Sequence, residues 1–397
     1  MIAYDKTLLD NTYIYKTAHK LKKSGFISLE QYKLLDYQLP KLKTQDNIFF
    51  RIGFFILGTI LYTSINSFLS FFGVVILEEI GLDYNQYIHF LFLLALIGFA
   101  IKEIMASKMG YFGFGVDDAF ILGAIGLLLT NIGISFEHNN ETNYLLIFIV
   151  MAIVSTITYL RYLNLILALL ACIGLTASIA FFVFENLIIG QSILPFVLML
   201  FAFVSYFLCS KKLENLNLPY YFRGLKLAKG YFLILSYLAG NYYVVRELNA
   251  SLSGEVESKE IPFSLLFWGF TFIIPVLYLV FSVKNKDRMM LWIGFLCLSF
   301  SFFSFRNYYH VLPAEFALTL GGLALFAFTY VAIKKTKHNE TGITFKADKL
   351  TDPNAFANLQ VLVTATQFGL KPEVPVEDSP IKFGGGGFSG GGSSGDF

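Results

Sequence analysis

From residue 48 onward, long apolar runs alternate with short polar ones. YLLIFIVMAIVSTITYL (144–160) and LILALLACIGLTASIAFFVF (165–184) are typical. Runs of about 17 to 25 apolar residues match the thickness of a bilayer's hydrocarbon core. Length and hydropathy predict roughly ten helical spans: 48–76, 87–101, 119–136, 144–160, 163–184, 187–208, 230–245, 261–283, 289–305 and 313–333. The expected fold is all-α, a polytopic transmembrane helix bundle. A small cytosolic helical hairpin (1–45) precedes the bundle (46–335), and a cytosolic extension (336–397) follows it. No short apolar stretch followed by small residues stands before residue 48, so the first span is expected to act as its own insertion signal.

Charge placement gives the topology. Lys and Arg concentrate in short cytoplasmic loops. The amino-terminal segment carries Lys16, Lys20, Lys22, Lys23, Lys33, Lys41, Lys43 and Arg51. Basic residues recur after every second span: Lys102 and Lys108, then Arg161, then Lys211 through Lys229, then Lys284, Lys286 and Arg288, then Lys334, Lys335 and Lys337. The intervening loops, such as EHNNET and RELNASLSGEVESKE, are acidic or poor in basic residues. The alternation places both termini in the cytoplasm. Tyrosines near span ends, among them Tyr144, Tyr159, Tyr162, Tyr221 and Tyr308, suit an interfacial belt.

Composition removes whole classes. Hydrophobic residues make up 56% of the chain and charged ones 15%, against about 25% charged in a soluble domain. The net charge of +2 gives no reason to expect a nucleic-acid partner. Cys172, Cys209 and Cys297 lie in apolar runs without close spacing and read as small buried hydrophobes.

The amino-terminal segment has the grammar of soluble helices. Ile14, Ala18 and Leu21 share a face. Ser28 with Gln31 forms a capping-box pattern, Ile27 and Tyr32 suit a hydrophobic staple, and Pro40 stops the second helix. The stretch KLKKSGFISLEQYKLL, with Leu21, Gly25, Ile27, Ser28, Glu30 and Gln31 in a Leu-x-x-x-Gly-x-Ile-Ser-x-Glu-Gln pattern, resembles the opening of an uncharacterised bacterial family of multi-pass inner-membrane proteins, the domain of unknown function 2157 type. The resemblance implies a bacterial inner membrane and a cytosolic hairpin, and it carries no catalytic residue.

Candidate chemistry is sparse. The span middles contain no Asp, Glu, Lys or Arg, which argues against a proton relay. No His-Glu-x-x-His or phosphate-loop motif is present, the five histidines are scattered, and no metal or cofactor is expected. GYFGFGVDD (110–118) looks like a glycine-rich loop but follows no strand, so a membrane-edge turn with Asp117 and Asp118 at a helix start is expected. Thr59, Thr63, Asn66 and Ser70 fall on one helical face of span 1. Interhelical hydrogen bonding is one reading of them, and a polar path shared with Gln191 and Ser192 is another. Gly190 and Pro195 form a candidate helix break of the kind found in transporters. Arg306, His310 and Glu315 form a candidate outer-face cluster. The end of the chain, FGGGGFSGGGSSGDF, reads as flexible and disordered. Its isolated Phe383, Phe388 and Phe397, with Asp396 and the terminal carboxylate, suit a recognition peptide. The expected partners are therefore membrane lipid and a protein that meets the hairpin or the tail. The leading expectation is a structural or interaction component. The alternatives are a transporter of a small uncharged or amphipathic molecule and a membrane enzyme acting on lipid-linked substrates.

Overall fold

A computed structural model describes residues 2–23, 27–80, 84–137, 143–187, 190–214, 219–254 and 258–309, with scattered positions between 316 and 334. Among the described residues the regular elements are helical: α1 (Lys6–Lys23), α2 (Leu29–Gln38), α3 (Ile48–Ile80), α4 (Tyr84–Ser107), α5 (Val116–Glu137), α6 (Tyr144–Tyr162), α7 (Leu165–Asn186), α8 (Gly190–Glu214), α9 (Phe222–Gly240), α10 (Tyr242–Ser253), α11 (Ser264–Asn285) and α12 (Arg288–Tyr308). Eight of them, α3 to α8 with α11 and α12, are long and apolar enough to cross a membrane.

The chain forms two compact units. The smaller contains Asn11–Pro40. In it the Ser28 hydroxyl accepts from the Gln31 amide while the Gln31 side chain accepts from the Ser28 amide, the reciprocal capping box. Ala18, Ile27 and Leu35 form its buried core, with Ile14, Leu21, Tyr32 and Leu39 against them. Residues up to Asp10 belong instead with the bundle. There the Ala3 amide donates to the Arg161 carbonyl at 3.0 Å, the Tyr4 ring meets Phe112 edge-on, and the Tyr220 hydroxyl donates to Asp10. The expected boundary at residue 45 therefore cuts differently from the packing.

The bundle is a relay of neighbouring pairs. α3 and α4 flank α5, α6 pairs with α7, α8 with α9, and α11 with α12, while α9 also meets α7, α11 and α12. Outward faces carry large apolar side chains: Phe49 is 81% exposed, Leu265 86% and Trp292 65%. Soluble monomers rarely expose contiguous apolar patches above a few hundred Å². With every spanning backbone segment helical, so that its amides are satisfied internally, this is a multi-pass membrane protein.

One expected span is corrected. The span expected at 230–245 is the end of a longer helix: α9 starts at Phe222, stops at Gly240, and the chain turns at Asn241 into α10. Arg223, Lys226 and Lys229 lower the hydropathy of its first half, which hid its start. α9 still runs beside α12 for most of its length, with Lys229 at Asp287 and Asn241 at Ser304. The expected loop RELNASLSGEVESKE contributes its first half to α10, closed by Gly254 in the left-handed region (φ 67°). The span expected at 313–333 lies outside the described residues apart from isolated positions.

Small residues set the closest approaches. The Tyr62 ring of α3 sits where side chains on Gly98 (α4) and Gly123 (α5) would stand. A methyl on Gly174 would come within 2.7 Å of the Ala152 backbone nitrogen, so α6 and α7 touch nearly backbone to backbone. Gly174→Val is expected to cost about 1–3 kcal/mol by overpacking. Gly126→Ala, whose new methyl meets nothing within 4 Å, is expected to be neutral. Equilibrium unfolding in mixed micelles compares the two.

Candidate functional site

The hydroxyl face of α3 does not look into the bundle. Thr59 and Thr63 are exposed, and their hydroxyls donate back to the carbonyls of Phe55, Thr59 and Ile60. The stripe that is buried is Gly58, Tyr62 and Asn66, one position round the helix, while Ser70 is half-buried. Shape decides this: Gly58 lets α5 approach and Tyr62 has two glycines to fill against. Gln191 donates to the Asn249 carbonyl at 3.3 Å and the Ser253 hydroxyl at 2.6 Å, tying α8 to α10, and Ser192 is exposed. α3 packs on α5 and α4, whereas α8 packs on α9, α7 and α10, so the two halves of the expected path stand on different helix groups. Gly190 is the first residue of α8 and Pro195 lies in its second turn, with the helix continuous to Glu214. The helix break expected there occurs at Asn241 instead. Arg306 is exposed near the end of α12. His310, Glu315, Phe383, Phe388, Asp396 and Phe397 lie outside the described residues.

What the structure brings together is a set of charges at one end of the bundle. The loop after α4 places Gly110, Gly113 and Gly115 at φ 70°, 61° and 116°, a conformation that favours glycine. This turns the amides of Gly113, Phe114 and Gly115 onto the carboxylate of Asp117 at 3.2, 2.9 and 3.1 Å. The glycine-rich loop is thus an anion cradle whose anion belongs to the chain itself. Asp117 also receives the Lys102 ammonium at 2.7 Å, and both side chains are shut off from solvent (0% and 1% exposed). The neighbouring Asp118 turns the other way. It accepts from the Arg51 guanidinium at 2.6 Å and from the Asn164 amide, and Asn164 in turn caps α7 by accepting from the Ile166 amide. Glu103 takes Arg161 in a two-pronged pair, plus the Tyr162 hydroxyl at 2.9 Å. The Lys102 ammonium lies over the Tyr162 ring, 5.2 Å from its centre.

These contacts join α3, α4, α5, α6 and α7. The set contains three cations (Arg51, Lys102, Arg161) and three carboxylates (Glu103, Asp117, Asp118), so it is internally neutral. Carboxylates at the start of α5 also suit the positive end of its dipole. Tyr4 borders the cluster. Its own burial, and then the charges of Asp117 and Asp118, hold its hydroxyl protonated well above the usual tyrosine range. Matched charges tie these helix ends together as a clamp.

A second buried pair, Lys229 of α9 with Asp287 at 2.6 Å, sits on α9 and α12. Asp287 also caps α12 through the Met289 and Met290 amides. At the opposite end of these helices the turn at Asn241 is satisfied by side chains. Asn241 donates to the Tyr237 and Ser304 hydroxyls and accepts from the Val244 amide, while the Tyr242 amide donates to Thr271. Beyond it Tyr242 stacks on Trp268, Arg246 lies over the Tyr308 ring, and the Tyr308 hydroxyl donates to Glu247.

Reading the sequence missed both buried pairs, because Lys102 and Lys229 were counted as loop charges. The available signal was opposite charges at consecutive span ends: Lys102 and Asp117 flank one short loop. Among the described residues no group of three or more His, Cys, Asp or Glu could hold a metal ion. No family model, no curated protein and no solved structure matches the chain.

Removing one member of a buried pair leaves an uncompensated charge, typically about 3–5 kcal/mol. Lys102→Met and Asp117→Asn are each expected to cost that much. The double variant is expected to lose clearly less than the sum, and a double-mutant cycle from unfolding curves reads the coupling.

Proposed function

We propose that this chain is a bacterial inner-membrane protein that serves as a structural or protein-interaction component, with both termini in the cytoplasm. The observation that carries the reading is the charge clamp. Five helices are tied at one end by matched ion pairs, and the Thr59 and Thr63 hydroxyls of α3 face outward, already bonded to their own helix. Such a bundle suits a fixed platform better than alternating access, which needs two discrete arrangements around a central site. In this reading α9 with its Asn241 turn makes a crossing alongside the eight apolar helices, and 313–333 makes the last. The clamp, Lys211 and Lys286 then lie at the cytoplasmic edge, while α10 and its aromatic surround lie at the outer edge. The hairpin unit and the glycine-rich tail are the parts offered to a cytosolic partner.

Two measurements test this. In a chain with Cys172, Cys209 and Cys297 replaced, single cysteines at Lys43 and Lys284 are expected to react with an impermeant maleimide only from the cytoplasmic side, and one at Ser251 only from outside. A reversed pattern overturns the topology. Removal of residues 11–40 is expected to abolish specific cross-links to a cytosolic protein while the bundle's thermal midpoint stays within about 2 °C. Identical cross-links with and without residues 11–40 and 383–397 would refute the interaction role.

A further inference from the structure

A groove of about 1340 Å³ runs between α8 and α11 over α9. Its walls are apolar: Phe203 and Phe207 on one side, Leu277 and Phe281 on the other, with Phe232 and Leu233 on its floor. The rim is open: Phe203, Phe207, Leu277 and Phe281 are 44–56% exposed, as expected of an entrance from the hydrocarbon phase. One end is different. Ser210, Lys211, Glu214, Lys229, Lys286 and Asp287 gather there. Its lining there carries three lysines and two carboxylates, of which Lys229 and Asp287 pair with each other. Also at this end, the Ser210 hydroxyl is shut off from solvent and has no hydrogen-bond partner among the described residues. A buried donor left unmade is costly; Tyr62 and Ser155 carry such hydroxyls elsewhere in the bundle, and Ser210 is the one of the three that lines this groove, where an acceptor entering the groove would meet it.

We propose that this groove holds one anionic phospholipid of the surrounding bilayer, its phosphate at Ser210, Lys211 and Lys286 and its chains along α8 and α11. The match is one of charge, size and polarity. A phosphodiester brings a negative charge to an end whose lining holds three lysines and two carboxylates, and an acceptor for Ser210. The groove's volume of about 1340 Å³ and its course along α8 and α11 suit lipid chains lying against the helices. An apolar helix of about 20 residues offers no anion. The proposal does not depend on the interaction role above, since it concerns the bundle alone.

The test uses the full chain, purified in detergent and given either phosphatidylglycerol or phosphatidylcholine. Native mass spectrometry is expected to retain one phosphatidylglycerol per chain. That lipid is expected to raise the thermal midpoint by several degrees, and phosphatidylcholine at least threefold less. Lys211→Glu with Lys286→Glu reverses charge at a helix end and a turn, away from the core, and is expected to weaken retention about tenfold. Leu277→Trp, on the exposed rim, is expected to exclude the lipid with the charges intact. Equal retention of both lipids, or of phosphatidylglycerol by all variants, overturns the proposal. So does cross-linking of a protein segment into the groove in native membranes.

Discussion

The Lys102–Asp117 pair is the constraint on which one half of the bundle depends. A lysine and a carboxylate that both lack solvent are costly unless each has a full set of partners. Here Asp117 has the ammonium and three loop amides, and Lys102 has the carboxylate and a tyrosine ring. Those demands dictate the rest locally. The loop must turn its amides inward, so three glycines adopt positive φ. Asp118, one residue on, must then face elsewhere, and it meets Arg51 and Asn164. A single dipeptide therefore orients the start of α3, the cap of α7 and the end of α4.

The other half of the bundle is organised by the same logic at both ends of α9. Lys229 and Asp287 hold its first half against α12, and Asn241 replaces the backbone partners lost where α9 turns into α10. In hydrocarbon, interrupted backbone is tolerated only where protein satisfies it, and the serines and threonine around Asn241 meet that condition. Between these ends the contacts are apolar and aromatic, with Tyr237 and Tyr278 packed into one core with Leu233, Met290, Ile293 and Cys297.

The functional picture follows from where polarity is spent. Charged groups close one end of the bundle, and the Thr59 and Thr63 hydroxyls of α3 bond to their own helix. The polar end of the groove gathers the Ser210 hydroxyl, one of three buried hydroxyls without a partner among the described residues, with three lysines and two carboxylates. The proposed platform role and the proposed lipid both rest on this distribution of polar groups.

The sequence by itself determined the helical class, the membrane setting and the capped hairpin, because those follow from local properties. Run length reports bilayer thickness, and Ser28 with Gln31 reports a helix start three residues wide. It also marked Asp117 and Asp118 as a helix beginning. It could not say that Lys102 and Lys229 leave the loops to be buried, since a lysine at a span end looks the same whether it meets water or a carboxylate. Nor could it choose between the stripe of Thr59, Thr63 and Asn66 and that of Gly58, Tyr62 and Asn66. Polarity marks the first, but the second is buried because Gly98 and Gly123, distant in sequence, leave room for the Tyr62 ring. Only the tertiary structure decided which face was buried and which charges were paired, because both depend on the shape of a partner helix that local pattern does not contain.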